Sequence, residues 1–167
     1  HGIGLEAHGQ NLILQHDNGW PTGIIARDFH DGVEYVAPLL SRPELCPDLA
    51  AIDPVFATAP LDRFHALACS DGLRELVMDT LFVFNLADLS DLMQRQFDLP
   101  ETCFWQRLRA RLDRYAADHG QAQRMAALAP FAPQIHAESL ITRKIDPDRT
   151  GAYRHLIDNP LATAKDS

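Results

Sequence analysis

Polar side chains crowd a short stretch near the start of the chain, next to residues that are apolar or glycine. The run Glu6-Ala7-His8-Gly9-Gln10-Asn11 offers a carboxylate, an imidazole and two amides, and Arg27-Asp28 adds a guanidinium and a second carboxylate. Groups of these types bind metal ions and phosphate oxygens. Their departure from the surrounding hydrophobic pattern is typical of a functional site.

A β-hairpin between these two groups would bring them together. Short apolar runs at Leu12-Ile13-Leu14 and Gly23-Ile24-Ile25-Ala26 flank Asp17-Asn18-Gly19, and an Asn-Gly pair favours the tight turns of hairpins. A third extended piece is predicted at Val33–Val36. The sequence therefore predicts a small antiparallel sheet within residues 1–36.

The register of that hairpin decides which polar side chains are neighbours. With Asn and Gly at the centre of the turn, Asn11 faces Ala26 and Gly9 faces Asp28. Asn11 and Asp28 then lie diagonally on one face, within reach of one ion. An amide oxygen and a carboxylate are suited to Mg²⁺, which also bridges to nucleotide phosphates.

A different interpretation of the polar run is also open. Glu6 and Gln10 are four positions apart, and His8 and Asn11 are three apart, as on one face of a helix. The same residues would then form the solvated face and the end of a helix that stops near Gly9.

The rest of the chain predicts helices. A proline-rich connection occupies residues 37–69, and after it apolar residues recur at helical spacing. Helices are predicted from about Ser70 to Phe84, at Leu99–His119 and Gln121–Leu128, and around Glu138–Arg143. Asp98 and Glu101 resemble a capping box for the second helix, and Gly120 ends it. We therefore predict a mostly α (α+β) fold, in which a helical part, residues 70–167, carries a small antiparallel β-hairpin or sheet at its N-terminal end.

Composition excludes several classes of function. The chain has 167 residues, with 15 Lys+Arg against 23 Asp+Glu, so its formal net charge is −8, and 46% of its residues are hydrophobic. This is enough for one domain with a buried core. An acidic chain is a poor match for a phosphate backbone, so no nucleic-acid partner is expected. No apolar run reaches the ~18 residues of a transmembrane helix, so no membrane partner is expected either.

The cysteines and the first residue indicate the cellular setting. Cys46, Cys69 and Cys103 are widely spaced and form no CxxC pair, so no zinc ribbon, iron–sulfur clamp or even set of disulfides is indicated. We expect no secretory signal peptide and a reducing, cytoplasmic location. Because the chain opens at His1 inside a patterned segment, we expect residues 1–167 to be a single domain of a longer protein.

Both ends of the chain resemble one enzyme family. The run from Gly2 to Asn11, followed by a hairpin and Arg27-Asp28-Phe29, closely resembles a motif of the NRPS-independent siderophore synthetases of the aerobactin-synthetase type. Leu140-Ile141-Thr142-Arg143 and Asn159-Pro160-Leu161 look like the closing motifs of that family. The resemblance covers the whole chain as the C-terminal, palm-like domain of such an enzyme, also called FhuF-like.

The resemblance implies an AMP-forming ligase that uses ATP and Mg²⁺. ATP and a carboxylic acid, citrate or a related dicarboxylate, give an acyl-adenylate and pyrophosphate, and an amine, hydroxylamine or alcohol then attacks the acyl carbon. Because two anions must meet, cationic groups, hydrogen-bond donors and a metal must offset their repulsion. The residues implied for these roles are His8 and its orienting partner Glu6 as catalytic groups; His8, Gln10, Asn11, Arg27 and Asp28 for binding nucleotide; and Asp28 and Asn11 for metal.

The resemblance also implies that part of the site lies elsewhere. The fingers region of that family, which brings a serine, arginines and a lysine to the nucleotide, is not in this chain, so the isolated chain is expected to show little or no turnover. Ala137-Glu138-Ser139 stand where a lysine often precedes the closing arginine, which weakens an acceptor-side role there. A homodimer is expected because such synthetases are commonly dimeric.

Two other functions are open. A FhuF-like ferric-siderophore reductase would need a C-terminal cluster of cysteines for an iron–sulfur centre, and no residue after Cys103 is cysteine. A helical interaction module without chemistry would leave Glu6, His8, Asn11 and Asp28 scattered and solvated. Convergence of these side chains would argue against such a module.

Overall fold

The computed structural model describes residues 1–30, 32–59, 65–139, 145 and 154–164. The chain forms two units, residues 1–77 and 78–167. The first contains the strands β1 (Ile3–Leu5), β2 (Leu12–Asp17), β3 (Trp20–Ala26) and β4 (Val33–Tyr35), short 3-10 turns at Ala37–Leu39, Pro43–Leu45 and Pro54–Ala57, and the helices α1 (Leu49–Ile52) and α2 (Ser70–Val77). The second contains a π-helical segment (Met78–Ala87), the helices α3 (Asp88–Phe97), α4 (Glu101–Asp118), α5 (Ala122–Leu128) and α6 (Pro160–Thr163), and the strands β5 (Gln134–Glu138) and β6 (Arg154–Asp158). The mostly α (α+β) class is confirmed, and none of the described helices is long and apolar enough to cross a membrane.

The first unit packs the short sheet of β1 and β4 against α2. Gly4 makes this close approach necessary, because a Cβ built on Gly4 would lie 2.6 Å from Leu73 Cδ1 and 2.9 Å from Leu76 Cδ2. Leu73 is 3% exposed, so this is the buried side of the sheet. Directly paired residues share a face, so the same side carries Glu34, the antiparallel partner of Gly4.

The predicted hairpin forms from β2 and β3, but its register differs from the prediction. Next to the turn, Asp17 pairs with Trp20, as expected when Asn18 and Gly19 are the central residues. Farther from the turn, Leu12 rather than Asn11 pairs with Ala26. The shift is an irregularity in the pairing beside Pro21. Proline has no N–H to donate to the ladder, so one extra residue is accommodated there. The prediction that Asn11 faces Ala26 is therefore wrong, and the diagonal placement that was derived from it has no support.

The second unit contains one helix, α3, that the sequence did not predict. The helix predicted from Leu99 begins at Glu101, and α3 precedes it as a separate helix. The predicted capping box is wrong, because Asp98, with φ 53°, ends α3 in the left-handed conformation. The N–H of Glu101 instead donates to Gln94 Oε1 at 3.2 Å. Gly120, with φ 63°, follows α4 as predicted.

The second unit also contains an antiparallel pair of strands that the sequence did not predict. β5 and β6 pair from Gln134–Asp158 to Glu138–Arg154. The helix predicted around Glu138–Arg143 is therefore wrong at its first residue, and residues 140–143 lie outside the described residues. A strand whose partner is far along the chain leaves little local signal.

Two residues of the closing motif, Asn159 and Leu161, are almost completely buried. Asn159 is 1% exposed and Leu161 is 0% exposed. Asn159 caps α6, because its Oδ1 accepts the Leu161 N–H at 3.0 Å, and its Nδ2 donates to the carbonyls of Pro130 (2.9 Å) and Ala132 (2.8 Å). Asn159 therefore joins the start of α6 to the segment that precedes β5.

Candidate functional site

The polar run after β1 folds as a tight turn, here called the Glu6–Asn11 turn. The strand ends at Leu5, and the N–H of Asn11 donates to the carbonyl of His8 at 3.0 Å. The Asn11 side chain, in a residue that is 6% exposed, closes the turn from inside by donating from Nδ2 to the Glu6 carbonyl at 3.0 Å. The alternative in which these residues form a helix is therefore wrong.

The turn holds the His8 imidazole in a defined orientation. The backbone N–H of Gln10 donates to His8 Nδ1 at 3.3 Å, and His8 Nε2 lies 3.9 Å from Glu6 Oε1. Because Nδ1 accepts a hydrogen bond, a neutral His8 carries its proton on Nε2, which faces the carboxylate. The His8 side chain is 26% exposed, so the ring is held and still accessible. This is the arrangement expected if Glu6 orients His8; the catalytic role of the pair stays a prediction.

Arg27 and Asp28 follow β3 and are tied to the turn. The N–H of Arg27 donates to the Asn11 carbonyl at 2.9 Å, and its Nε donates to Asp28 Oδ2 at 2.8 Å. Their side chains are 52% and 37% exposed, so this ion pair contributes little to stability and stays accessible to a ligand. Asp28 has φ 61°, a left-handed conformation that costs free energy in a residue other than glycine and is enriched at functional sites.

Gly32 brings the loop after Asp28 against Glu6. The N–H of Glu6 donates to the Gly32 carbonyl at 2.7 Å. A Cβ built on Gly32 would lie 3.0 Å from Glu6 Cβ, 3.2 Å from the Asp28 carbonyl oxygen and 3.3 Å from Glu6 Oε2. The structure thus gathers Glu6, His8, Asn11 and the backbone of Asp28 into one cluster, whereas the Gln10 side chain is exposed to solvent.

Glu34 belongs to the same cluster, and the sequence analysis missed it. Its carboxyl group lies on the side of the sheet that packs against α2, near Glu6 and His65. Burial raises the pKa of Glu34 above its ordinary value, His65 opposes that shift, and the Glu6 carboxylate adds to it. The sequence offered one signal for including Glu34 in the site, which is an acidic residue in the middle of the extended piece Val33-Glu34-Tyr35.

The oxygen ligands fit one mode of magnesium binding. Asp28 offers a carboxylate, and Asn11 offers only Oδ1, because its Nδ2 is a donor bound to the Glu6 carbonyl. Among the described residues, no three His, Cys, Asp or Glu side chains are grouped so that they could hold a metal ion. Mg²⁺ in nucleotide enzymes is commonly held by one or two carboxylates, waters and substrate phosphates, and this donor set fits that mode. Asp28 and Asn11 as metal ligands stay a prediction.

Comparison with known proteins assigns the chain to a family. The family model described as “Ferric iron reductase FhuF-like transporter” matches residues 1–152. The chain therefore belongs to the FhuF-like family. Relatives of known activity show which kind of enzyme contains a domain of this family.

Those relatives are siderophore synthetases. The chain is 31% identical to the citryl-spermidine/3,4-dihydroxybenzoyl-citryl-spermidine:spermidine ligase of Bacillus anthracis, over 99% of this chain and 27% of the relative. The crystal structure of the petrobactin biosynthesis protein AsbB from Bacillus anthracis str. Sterne matches with a TM-score of 0.89 at 31% identity, over 98% of this chain and 28% of that one. The aerobactin synthetase IucC from Klebsiella pneumoniae matches with a TM-score of 0.76 at 28% identity, over 99% of this chain and 27% of that one.

The predicted resemblance to the NRPS-independent siderophore synthetases is thus confirmed, and the chain corresponds to their C-terminal FhuF-like domain. It spans only 27% of the length of the Bacillus anthracis ligase.

Proposed function

We propose that this chain is the C-terminal, palm-like domain of an ATP-dependent siderophore synthetase. The whole enzyme would adenylate a carboxylic acid, citrate or a related dicarboxylate, and condense it with an amine, hydroxylamine or alcohol. The observation that carries the proposal is the match, over 99% of the chain, to a ligase that acts on citryl-spermidine.

The proposed chemistry has two steps. A carboxylate oxygen bonds to the α-phosphorus of ATP as the bond to pyrophosphate breaks, which leaves an acyl-adenylate. The nucleophile then bonds to the acyl carbon, AMP leaves, and the nucleophile gives up its proton. The first step joins two anions, so its transition state needs positive charge and hydrogen-bond donors at the phosphate.

The Glu6–Asn11 turn is suited to the first step. His8 would contact the phosphates and the reacting carboxylate, and Glu6, whose Oε1 lies 3.9 Å from His8 Nε2, would orient the ring. The exposed amide of Gln10 would donate to a phosphate oxygen. The restricted backbone of the turn supports this role, because preorganised donors stabilise developing charge best.

The ion pair after β3 is suited to the metal and the phosphates. Bound Mg²⁺ would supply Lewis-acid stabilisation of the phosphate charge. Asp28 and Asn11 Oδ1 would hold it. Arg27, which donates to Asp28 at 2.8 Å, would orient that carboxylate and add a positive charge beside the nucleotide.

Three further proposals concern the setting of the domain. Residues 1–167 would form one domain of the longer synthetase, and the rest of that protein would complete the nucleotide site. The enzyme would be a cytoplasmic homodimer. The isolated chain would show little turnover, because it spans 27% of the length of the ligase that it resembles.

The other two functions are less well supported. The three cysteines are free in the structure, and none lies after Cys103, so the residues for an iron–sulfur centre of a reductase are missing from this sequence. A module without chemistry would leave the polar side chains scattered, whereas His8 Nε2 lies 3.9 Å from Glu6 Oε1 and the Asn11 side chain is bound to the Glu6 carbonyl.

The test is pyrophosphate release by the parent full-length protein. ATP and Mg²⁺ are supplied with citrate, other dicarboxylates or citryl amides, and spermidine serves as the acceptor. We expect pyrophosphate and AMP to form only when an acid is present, and free hydroxylamine to trap the activated acid as a hydroxamate. Absence of acid-dependent pyrophosphate release across this panel would contradict the proposal.

A further inference from the structure

Four ionisable side chains form a row beside the site: His8, Glu6, Glu34 and His65. The antiparallel register pairs Gly4 with Glu34, and the bond from Glu6 N–H to Gly32 continues the same ladder by two residues. Glu6 and Glu34 are therefore diagonal neighbours on the face that packs against α2. His8 Nε2 lies 3.9 Å from Glu6 Oε1.

His65 closes the other end of the row. The N–H of Tyr35 donates to the His65 carbonyl at 2.8 Å, and the N–H of Leu67 donates to the Tyr35 carbonyl at 2.8 Å. Residues 65–67 thus run alongside β4 and bring the imidazole near Glu34, where it lowers the pKa of that carboxyl. His65 has φ 66°, a strained conformation for this residue type.

The position of Glu34 is unfavourable for stability. Its carboxyl group loses hydration in the sheet and faces the like charge of Glu6. His65 offsets only part of this loss, because burial is the largest of the effects on the carboxyl group. A side chain that lowers stability and lies beside a candidate site is better explained by function than by packing.

We propose that Glu34 is a positioning residue that acts through Glu6. Its negative charge repels the Glu6 carboxylate from one side of the row, so that Glu6 stays turned toward His8. The orientation of the imidazole would then depend on a residue that touches neither nucleotide nor acid. The inference rests on the proposed function, in which His8 is a catalytic residue.

A double-mutant cycle in the full-length protein tests this. Glu34→Gln, Glu6→Gln and the double variant are compared by kcat and KM for acid-dependent pyrophosphate release and by Tm, with the exposed Glu44→Gln as the control. We expect Glu34→Gln to lower kcat about fivefold and to change the KM for ATP less than about twofold, and we expect no further loss when Glu6 is already Gln. The same variant should raise Tm, because it removes a poorly hydrated charge.

Each alternative result has a defined meaning. An equal loss of kcat in both backgrounds, or a lower Tm for Glu34→Gln, would show a packing role and overturn the inference. An unchanged kcat for Glu34→Gln would also overturn it. Glu34→Asp keeps the charge and should retain more activity than Glu34→Gln. If Glu6→Gln and His8→Ala both retain full kcat, the proposed catalytic site is wrong. That outcome differs from one in which only the coupling between Glu34 and Glu6 is absent.

Discussion

Two asparagines, one in each unit, show how differently the same side chain is used. Asn159 is 1% exposed, and both its Oδ1 and its Nδ2 are hydrogen-bonded to the backbone of the second unit. Asn11 is 6% exposed and donates once, to the Glu6 carbonyl, while no described residue donates to its Oδ1. Both residues brace a turn, but only Asn11 keeps an acceptor atom for another partner.

Their surroundings differ in the same way. Next to Asn159, Arg109 donates to the Leu161 carbonyl at 2.5 Å and lies 4.0 Å from the centroid of the Phe131 ring, with its side chain 15% exposed. Next to Asn11, the side chains of His8, Arg27 and Asp28 are 26%, 52% and 37% exposed. The closing motif is therefore packed into the fold, whereas the first motif leaves its polar side chains accessible.

The largest predicted effect is on stability at the closing motif. Asn159→Ala should lower the free energy of unfolding by about 3 kcal/mol, because it removes three hydrogen bonds: those to the half-buried Pro130 and Ala132 carbonyls and that from the buried Leu161 N–H. Urea unfolding followed by tryptophan fluorescence measures this, since Trp105 is buried in that unit and Trp20 is 78% exposed.

Asn11→Ala is the matched control for that measurement. It removes a single side-chain hydrogen bond, so we expect a loss of about 1 kcal/mol. Equal losses in the free energy of unfolding for Asn11→Ala and Asn159→Ala would contradict the difference drawn between the two asparagines.

The next effect is on activity rather than stability. In Gly32→Ala the new Cβ would lie 3.0 Å from Glu6 Cβ and 3.2 Å from the Asp28 carbonyl oxygen. The loop that contains Gly32 should therefore move away from Glu6. We expect turnover of the full-length protein to fall about tenfold, because small displacements of reacting groups are costly. Gly9→Ala is the control, since a Cβ there meets nothing within 4 Å. Full activity of Gly32→Ala would argue that the cluster does not require this close approach.

A smaller effect is expected at Arg109. Arg109→Lys loses the planar contact with Phe131 and the fixed geometry of the bond to Leu161, and should lower the free energy of unfolding by about 1 kcal/mol. Arg107→Lys, on the exposed side of α4, should change it by less than about 0.5 kcal/mol. The same urea titrations measure the free energy of unfolding of both variants. A larger loss for Arg107→Lys than for Arg109→Lys would contradict the stabilising role of Arg109.

The smallest effect is the pH dependence of stability that Glu34 introduces. Its folded pKa lies above its unfolded value, so the native state binds more protons and stability falls as pH rises through this range. The Tm of Glu34→Gln should match wild type below about pH 4, near the ordinary glutamate pKa, and exceed it at higher pH. If the difference in Tm between Glu34→Gln and wild type does not change with pH, titration of Glu34 is not its cause.

Local features of the fold were predictable, and pairings that depend on distant residues were not. The Asn-Gly turn and the Gly120 helix end follow from backbone preferences that single residues carry. The register shift depends on how the chain adjusts around Pro21, and β5 forms only because β6 pairs with it. The polar run was visible as a break in pattern, but Glu34 joins it through the pairing of β1 with β4.

The Glu6–Asn11 turn is the proposed catalytic element, and His8→Ala in the full-length protein tests this role most directly. Acid-dependent pyrophosphate release should fall at least about 100-fold, the range for loss of a general acid–base or charge-stabilising group, while Tm changes little. Asp28→Ala should behave similarly, and His16→Ala, exposed in β2 of the same unit, should keep wild-type turnover. Wild-type turnover by His8→Ala would contradict the account and make this turn a structural feature of the domain.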